Sequence, residues 1–186
     1  MIHADPSKHH NGDMPTGLLV VSDREPLAWL LHQERFAIPE SRATSGPAPG
    51  TTLLIYTTRG CYRNPTRDRG LVMGIATVTS DLARLEHPMT FRGRHYAAGF
   101  HLELNGVAPP HRGVDLGALA GSLEALPDRA TWSARLRRSV VPLTDRDAQI
   151  ITQSLTPLLR PIAEQLPEYD DACKTGTRPE YRHGAI

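Results

Sequence analysis

Arginine is concentrated in one short segment that lies between two apolar runs. This segment, here called the arginine loop (residues 59–69), contains Arg59, Arg63, Arg67 and Arg69. Only Asp68 offsets these cations within the loop, although the whole chain has a formal net charge of +1. Guanidinium groups bind phosphates, and such contacts give affinity for nucleic acid without sequence information. The loop therefore predicts a nucleic-acid contact, and a solvated loop without a ligand is the alternative for Arg63, Arg67 and Arg69 taken singly.

The arginine loop belongs to the basic part of the chain, residues 59–112, which holds eight arginines against four acidic residues. Further candidates for contacts to the nucleic-acid backbone are Arg92, Arg94, Arg135, Arg137 and Arg138. Arg59, at the start of the loop, is the first candidate for a contact to a phosphate or a base edge. Tyr96 follows the segment FRGR and is an additional candidate for stacking.

Few aromatic side chains are available to stack on a base, a contact worth about 1 to 3 kcal/mol. Phe36 and Tyr56 each lie where an apolar segment meets a loop, which favours a role in binding. Thr57 continues the chain from Tyr56 towards the arginine loop. Trp132 fits equally well as a lid on the hydrophobic core, and Trp29, between apolar residues of a helix, is predicted to be core.

The sequence contains no pattern that indicates catalysis or metal binding. Cys61 and Cys173 lie far apart and are predicted to be free thiols. The nine histidines show no set at metal-ligand spacing, and no phosphate-binding glycine motif follows a strand. We therefore predict no catalytic residue, no metal and no cofactor.

Length and composition are those of one globular domain. The 186 residues are 39% hydrophobic and 22% charged, and no apolar run approaches the roughly 18 residues of a membrane span. The first residues lack the pattern of a secretion signal, so a cytoplasmic location is the default expectation. Residues 1–16 and 161–186 have little to bury and are predicted to be flexible tails around a domain of residues 17–160.

Alternating strand and helix patterns fill this domain. Short apolar runs predict strands at residues 17–21, 52–56, 71–79, 97–104 and 139–143. Helices are predicted from a capping box at Ser22 and Glu25, over residues 116–126 from the leucine spacing, and after Thr144, with a kink or end near Pro157. This order predicts an α+β domain with a curled mixed sheet flanked by helices.

Three stretches resemble the EVE family, a branch of the PUA-like fold related to the YTH readers of methylated RNA. They are VVSDREPLAWLL, then FAIPESRATSGPAPGTTLLIYTTRG with LVMGIATVTSD, and finally LGALAGSLEALPDRATWSARLRRSVVPLTDRDAQII. The last stretch is the most specific, with a leucine-rich helix, a Trp, a Leu-Arg pair at Arg137, a strand and a final capped helix. Two departures are Thr51 and Thr52, where the family usually has an aspartate, and the long arginine loop.

The resemblance implies a small pseudo-barrel of about five to six strands with a pocket for one flipped-out modified base. The base would be a methylated or hydroxymethylated cytosine in DNA, or a modified base in RNA, and no catalysis is implied. The pocket residues that it implies are Ser22, Phe36, Tyr56, Thr57 and Trp132. A separately encoded nuclease is a possible partner. A PUA-like RNA-binding protein without preference for modification and a PUA-like enzyme acting on a nucleoside remain the alternatives.

Overall fold

The computed structural model describes residues 15–39, 45–64, 66 and 68–174. The described strands are β1 (Thr16–Val21), β2 (Arg35–Pro39), β3 (Thr52–Thr57), β4 (Leu71–Val78), β5 (Ala83–Phe91), β6 (Arg94–Val107), β7 (Val114–Asp115) and β8 (Val140–Pro142). The α-helices are α1 (Arg24–Gln33), α2 (Leu116–Leu119), α3 (Asp145–Leu155) and α4 (Ile162–Lys174). Within the described residues, 3-10 helices span Trp132–Arg137 and Thr156–Leu158, so the predicted kink or end of the helix near Pro157 is confirmed.

The strands form one mixed sheet in the order β2-β6-β4-β3-β1-β8, with β5 also paired to β6 and β7 to β4. Only β1 and β3 are parallel among the described pairs. The predicted α+β class with a curled sheet and flanking helices is confirmed. The described sheet has eight strands instead of five to six, and the three without a predicted counterpart are β2, β5 and β7. β5 is largely exposed and β7 has two residues, so neither has an apolar run to predict it.

Both faces of the central strands are buried. In β1, Leu19 and Val21 join one core cluster, whereas Leu18 and Val20 join the other. Successive side chains of a strand point to opposite faces, so a continuous apolar run is expected where both faces are covered. Residues of α1 and α4 lie on the first face, and residues of α3 and the segment 116–126 lie on the second.

The parallel pairing of β1 and β3 positions the functional surface. Val21 lies opposite Thr57 in the register, so the carboxyl ends of both strands meet at the same edge of the sheet. The Thr58 amide donates to the Val21 carbonyl at 3.0 Å and holds the two exits together. Ser22 and the start of the arginine loop are therefore neighbours in space although they are distant in sequence.

The N-cap of α1 is Asp23, and the predicted capping box at Ser22 is wrong. The Asp23 carboxylate accepts a hydrogen bond from the Glu25 amide at 3.2 Å, and its backbone is extended, as expected for an N-cap. Ser22 is an exposed link between β1 and the cap. The Ser22 hydroxyl therefore does not cap the helix.

The helix predicted over residues 116–126 is also wrong, because only Leu116–Leu119 is α-helical. Gly121 has φ of +90°, which an α-helix does not accommodate, and the chain turns there. Leu116, Leu123 and Leu126 are nevertheless buried in the core. Leucines at this spacing can be buried in a core from one long helix, or from a short helix followed by tight turns.

Part of the predicted C-terminal tail is an ordered helix, so the tail boundary at residue 161 is wrong. Helix α4 contacts α1, and Tyr169 is only 1% exposed. Its hydroxyl donates to the Ala108 carbonyl at 2.8 Å. The apolar positions Ile162, Leu166 and Tyr169 recur at helical spacing, although acidic residues and Pro167 separate them in the sequence. The remaining tail residues, 1–14 and 175–186, lie outside the described residues.

Replacing Tyr169 with Phe tests the docking of α4. We expect a loss of about 1 kcal/mol in the free energy of unfolding, because the buried Ala108 carbonyl loses its hydroxyl donor. Urea denaturation measures the change, with Glu164→Ala on the exposed side of α4 as the matched control. Equal stability of Tyr169→Phe and the unmodified protein would contradict the docked position of this helix.

Candidate nucleic-acid interface

Two cavities open side by side at the carboxyl ends of β1 and β3. The first, here called the Ser22 cavity, has a volume of about 260 Å³ and is lined by Ser22, Phe36, Tyr96 and other residues. The second, here called the Trp132 cavity, has a volume of about 810 Å³ and is lined by Tyr56, Arg59, Trp132 and others. Thr58 and Leu136 line both, so the cavities adjoin.

The Ser22 cavity combines an apolar floor with a polar rim. Phe36 is only 5% exposed and packs against Phe100 with ring centroids 5.8 Å apart, so it is part of the floor. Tyr96 is half-buried and is held edge-on by Phe91, with centroids 5.1 Å apart at 71°. Of these rings, Tyr96 has the more accessible face, and Ser22 adds an exposed hydroxyl. Three arginines also line the cavity, namely Arg94, Arg137 and Arg138.

The position of Tyr96 follows from the sheet. It lies on β6 opposite Met89 of β5 and Pro39 of β2, where the register of β2 shifts between Ile38 and Pro39. A β-bulge of this kind turns a side chain away from the regular alternation. Tyr96 thus lines the same cavity as Val21 and Ser22, although β4 and β3 separate its strand from β1 in the sheet order. Sequence spacing does not indicate this position.

The Trp132 cavity has an aromatic wall and charged edges. Tyr56 and Trp132 meet edge to face, with centroids 6.5 Å apart at 74°. Tyr56 is only 3% exposed, so the half-buried Trp132 presents the accessible ring. A Cβ on Gly70 would overlap the Tyr56 hydroxyl, so glycine is required for this approach. Burial raises the pKa of Tyr56 well above its usual range.

Asp115 contributes a positioned carboxylate to the Trp132 cavity. One oxygen, Oδ1, accepts from the amides of Gly117 and Ala118 at 2.9 and 3.2 Å and caps α2. The other, Oδ2, lies 3.7 Å from the guanidinium of Arg69, whose side chain is 74% exposed. Sequence reasoning did not single out Asp115, although an Asp just before LGAL is a typical helix N-cap.

The predicted base-pocket residues therefore divide between the two cavities. Ser22 and Phe36 line the first, whereas Tyr56 and Trp132 line the second. Thr57 lines neither, since it is 1% exposed and its hydroxyl donates to the Leu71 carbonyl at 3.3 Å. Thr57 ends β3, which pairs with β1 and β4, and its side chain is buried.

Asp23 holds two of the predicted phosphate ligands. Arg63 lies 3.1 Å from the Asp23 carboxylate and 2.5 Å from that of Glu25. Arg92, from the turn between β5 and β6, lies 3.1 Å from the other oxygen of Asp23. Asp23 is only 7% exposed. These contacts fix Arg63 and Arg92 against the protein and leave less of their charge for a phosphate.

The other predicted cations are distributed around the two cavities. Arg59 and Arg69 line the Trp132 cavity, and Arg137 and Arg138 line the Ser22 cavity. Arg135 is exposed on the 3-10 helix that carries Trp132. Arg67 lies outside the described residues.

The thiols and metal-ligating groups of the described residues do not form a second site. Cys61 is buried, and burial raises the pKa of its thiol well above the usual range, so it is not a reactive thiolate. No group of three or more His, Cys, Asp or Glu side chains in the described ranges is placed to hold a metal ion. None of the helices described is long and apolar enough to cross a membrane.

Comparison with known proteins identifies the fold. No protein-family model and no curated protein matches this sequence. Among solved structures, the crystal structure of the Mmi1 YTH domain complex with RNA is 10% identical, covers 77% of this chain and 79% of that chain, and has a TM-score of 0.51. A further structure of the Mmi1 YTH domain is 11% identical, covers 77% of this chain and 76% of that chain, and has the same TM-score of 0.51. The chain therefore has a YTH-like α+β fold.

Proposed function

We propose that this protein is a non-catalytic reader of a modified base in a nucleic-acid strand, of the EVE type, and that the Ser22 cavity receives the base. The observation that carries the proposal is that the half-buried ring of Tyr96, an exposed serine and three arginines line one cavity. A flipped base needs a stacking face, a few polar groups for its edge and cations for its phosphates. This cavity offers all three within one opening.

The size and lining of the cavity suit a single base. Its volume of about 260 Å³ lies just below the range typical of drug-sized ligands, roughly 300 to 1,000 Å³. Phe36, Ala37 and Pro39 supply apolar contact for an added methyl group. The Ser22 hydroxyl both donates and accepts, so it can pair with a ring nitrogen or a carbonyl of the base edge.

Two independent likenesses support this proposal. The sequence motifs resemble EVE domains, and the fold is shared with a YTH domain whose structure was solved in complex with RNA. Neither likeness distinguishes DNA from RNA for this chain. We propose nucleic acid as the partner on the chemistry of the cavity, and a methylated or hydroxymethylated cytosine, or a modified base of RNA, as the base that is read.

Fluorescence titration with short single strands tests the proposal. Matched DNA and RNA strands would carry cytosine, 5-methylcytosine or 5-hydroxymethylcytosine, and adenine or N6-methyladenine, at one central position. We expect one modified strand to bind more tightly than its plain counterpart. Equal affinity for all strands would favour a PUA-like binder without preference for modification, and weak, salt-insensitive binding throughout would overturn the proposal.

A pair of arginine variants tests which cations contact phosphates. Arg138 lines the Ser22 cavity, so Arg138→Ala should reduce the slope of log affinity against log salt by about 0.7, the contribution of roughly one phosphate on a single strand. Arg63→Ala is the matched control, because its guanidinium is paired with Asp23 and Glu25. It should leave the slope unchanged. A flatter slope in Arg63→Ala would mean that Arg63 exchanges its carboxylate partners for a phosphate.

A further inference from the structure

The Trp132 cavity is a second compartment that a single-base pocket does not require. It adjoins the Ser22 cavity through Thr58 and Leu136, and its volume of about 810 Å³ exceeds that of its neighbour. The shared lining residues place the two openings next to each other. The two compartments are therefore placed to take consecutive bases of one strand.

The lining of the Trp132 cavity has the groups that a base and its phosphate need. The half-buried Trp132 presents a ring face, and Tyr56 fixes that ring by an edge contact at 6.5 Å. Arg59 and Arg69 of the arginine loop also line this cavity and supply positive charge for the phosphates of the strand. Any base can stack on an aromatic ring, so the ring alone gives affinity without distinguishing between bases.

Asp115 supplies a group that can distinguish one base edge from another. Its Oδ1 is occupied by two backbone amides of α2, which fixes the orientation of the carboxylate. Oδ2 makes no comparably short contact, since its ion-pair distance to Arg69 is 3.7 Å. A carboxylate oxygen only accepts hydrogen bonds, so it favours a base edge that donates, such as the exocyclic amine of cytosine, and disfavours the O4 carbonyl of uracil or thymine.

We propose that the Trp132 cavity binds the nucleotide next to the modified base and selects a base with an exocyclic amine through Asp115. This inference rests on the proposed function, since it assigns the neighbouring position of the same strand. It gives the reader a sequence context in addition to a modification. The source of the strand, DNA or RNA, does not alter the chemistry of this choice.

The test uses fluorescein-labelled single strands that carry at the centre the modified base bound most tightly in the titration above, made as both DNA and RNA. The base on either side of the centre is cytosine, uracil (thymine in DNA) or an abasic site, changed one side at a time. On one side only, we expect cytosine to bind about tenfold more tightly than uracil or thymine. The abasic site on that side should lower the affinity at least as much.

Three variants separate the roles of the cavity residues. Asp115→Asn keeps an oxygen for the α2 cap but replaces Oδ2 with an amide donor, so the preference should reverse towards uracil or thymine. Trp132→Ala should bind the cytosine strand about tenfold more weakly and no better than the abasic strand. Trp132→Phe retains a ring and most of the packing, and should keep the preference even if Trp132→Ala folds poorly.

The outcomes distinguish this inference from the proposed function. A central-base preference that disappears in Tyr96→Ala, together with equal affinity for cytosine and uracil on both sides, would overturn the inference and leave the proposed function intact. An unchanged preference in Asp115→Asn would also overturn it. Absence of any dependence on the central base or on Tyr96 would overturn the proposed function itself.

Discussion

Replacing Tyr96 with alanine is expected to lower the affinity for a strand carrying the preferred modified base by roughly 5- to 150-fold. The expectation follows from the worth of one stacking contact, about 1 to 3 kcal/mol. Tyr96 presents the more accessible ring of the Ser22 cavity, because Phe36 is 5% exposed and packs against Phe100. Fluorescence titration at one salt concentration measures the loss, since affinities for nucleic acid depend strongly on salt.

The matched control is Tyr96→Phe, which retains the ring and should bind within a few fold of the unmodified protein. Tyr96 also contacts Phe91 edge-on, so its removal could loosen the pairing of β5 with β6. Phe91→Leu separates this effect, because it disturbs the same hairpin without removing the stacking ring. If Tyr96→Ala bound as tightly as the unmodified protein while remaining folded, the Ser22 cavity would not be the base pocket.

The central strands were predictable because they are buried on both faces, which requires nearly continuous apolar sequences. The runs at residues 17–21 and 52–56 are almost wholly apolar, as strands covered on both faces must be. Strand β5 is mostly exposed, and its register with β6 is irregular, so its sequence carries no alternation. It is held by pairing to the long strand β6, which is a tertiary fact that local patterns do not contain.

The candidate site was predictable only in part, for a similar reason. Ser22 and Phe36 follow β1 and α1 closely in sequence, and the structure does bring them into one cavity. Tyr56 and Trp132 also meet, but in the adjoining cavity, because the side chain of Tyr56 faces the other core cluster. The side of the sheet on which a strand residue emerges depends on register, and a shift of one residue reverses it.

The arginine loop shows the same limit for charge. Its composition predicted a cationic surface, yet Arg63 has φ of +62° and turns back to the carboxylates at the start of α1. Arg59 and Arg69 instead line a cavity. Counting cations in a sequence gives the charge of a segment but not the acids that the fold places beside it.

Asp23→Ala is expected to destabilise the protein by about 2 to 3 kcal/mol. About 1 kcal/mol is the cost of a lost N-cap, and the rest comes from two charge-assisted hydrogen bonds, to Arg63 and Arg92 at 3.1 Å each. Their contribution is discounted because the Arg92 side chain is 64% exposed and that of Arg63 is 30% exposed. Urea denaturation measures the total.

Asp23→Asn separates the two contributions, because an asparagine still caps the helix while its charge is gone. We expect it to lose about half as much as Asp23→Ala, and the difference from the unmodified protein should shrink as salt screens the ion pairs. Glu25→Gln is the control, since it removes the other carboxylate beside Arg63 but leaves Arg92 and the cap intact.

Asp23→Ala should also weaken binding of the modified strand, by more than its loss of stability explains. Asp23 joins the arginine loop to the turn between β5 and β6, which leads into Arg94 and Tyr96. Without it, the arginine loop beside the Trp132 cavity and the turn that leads into the Ser22 cavity lose their common anchor. Affinity for the modified strand should therefore fall even at temperatures where the variant is folded. A variant that loses only 1 kcal/mol and binds normally would show that Asp23 is merely a helix cap. In that case the arginine loop would be held by its own contacts, and Arg63 would again be available to a phosphate.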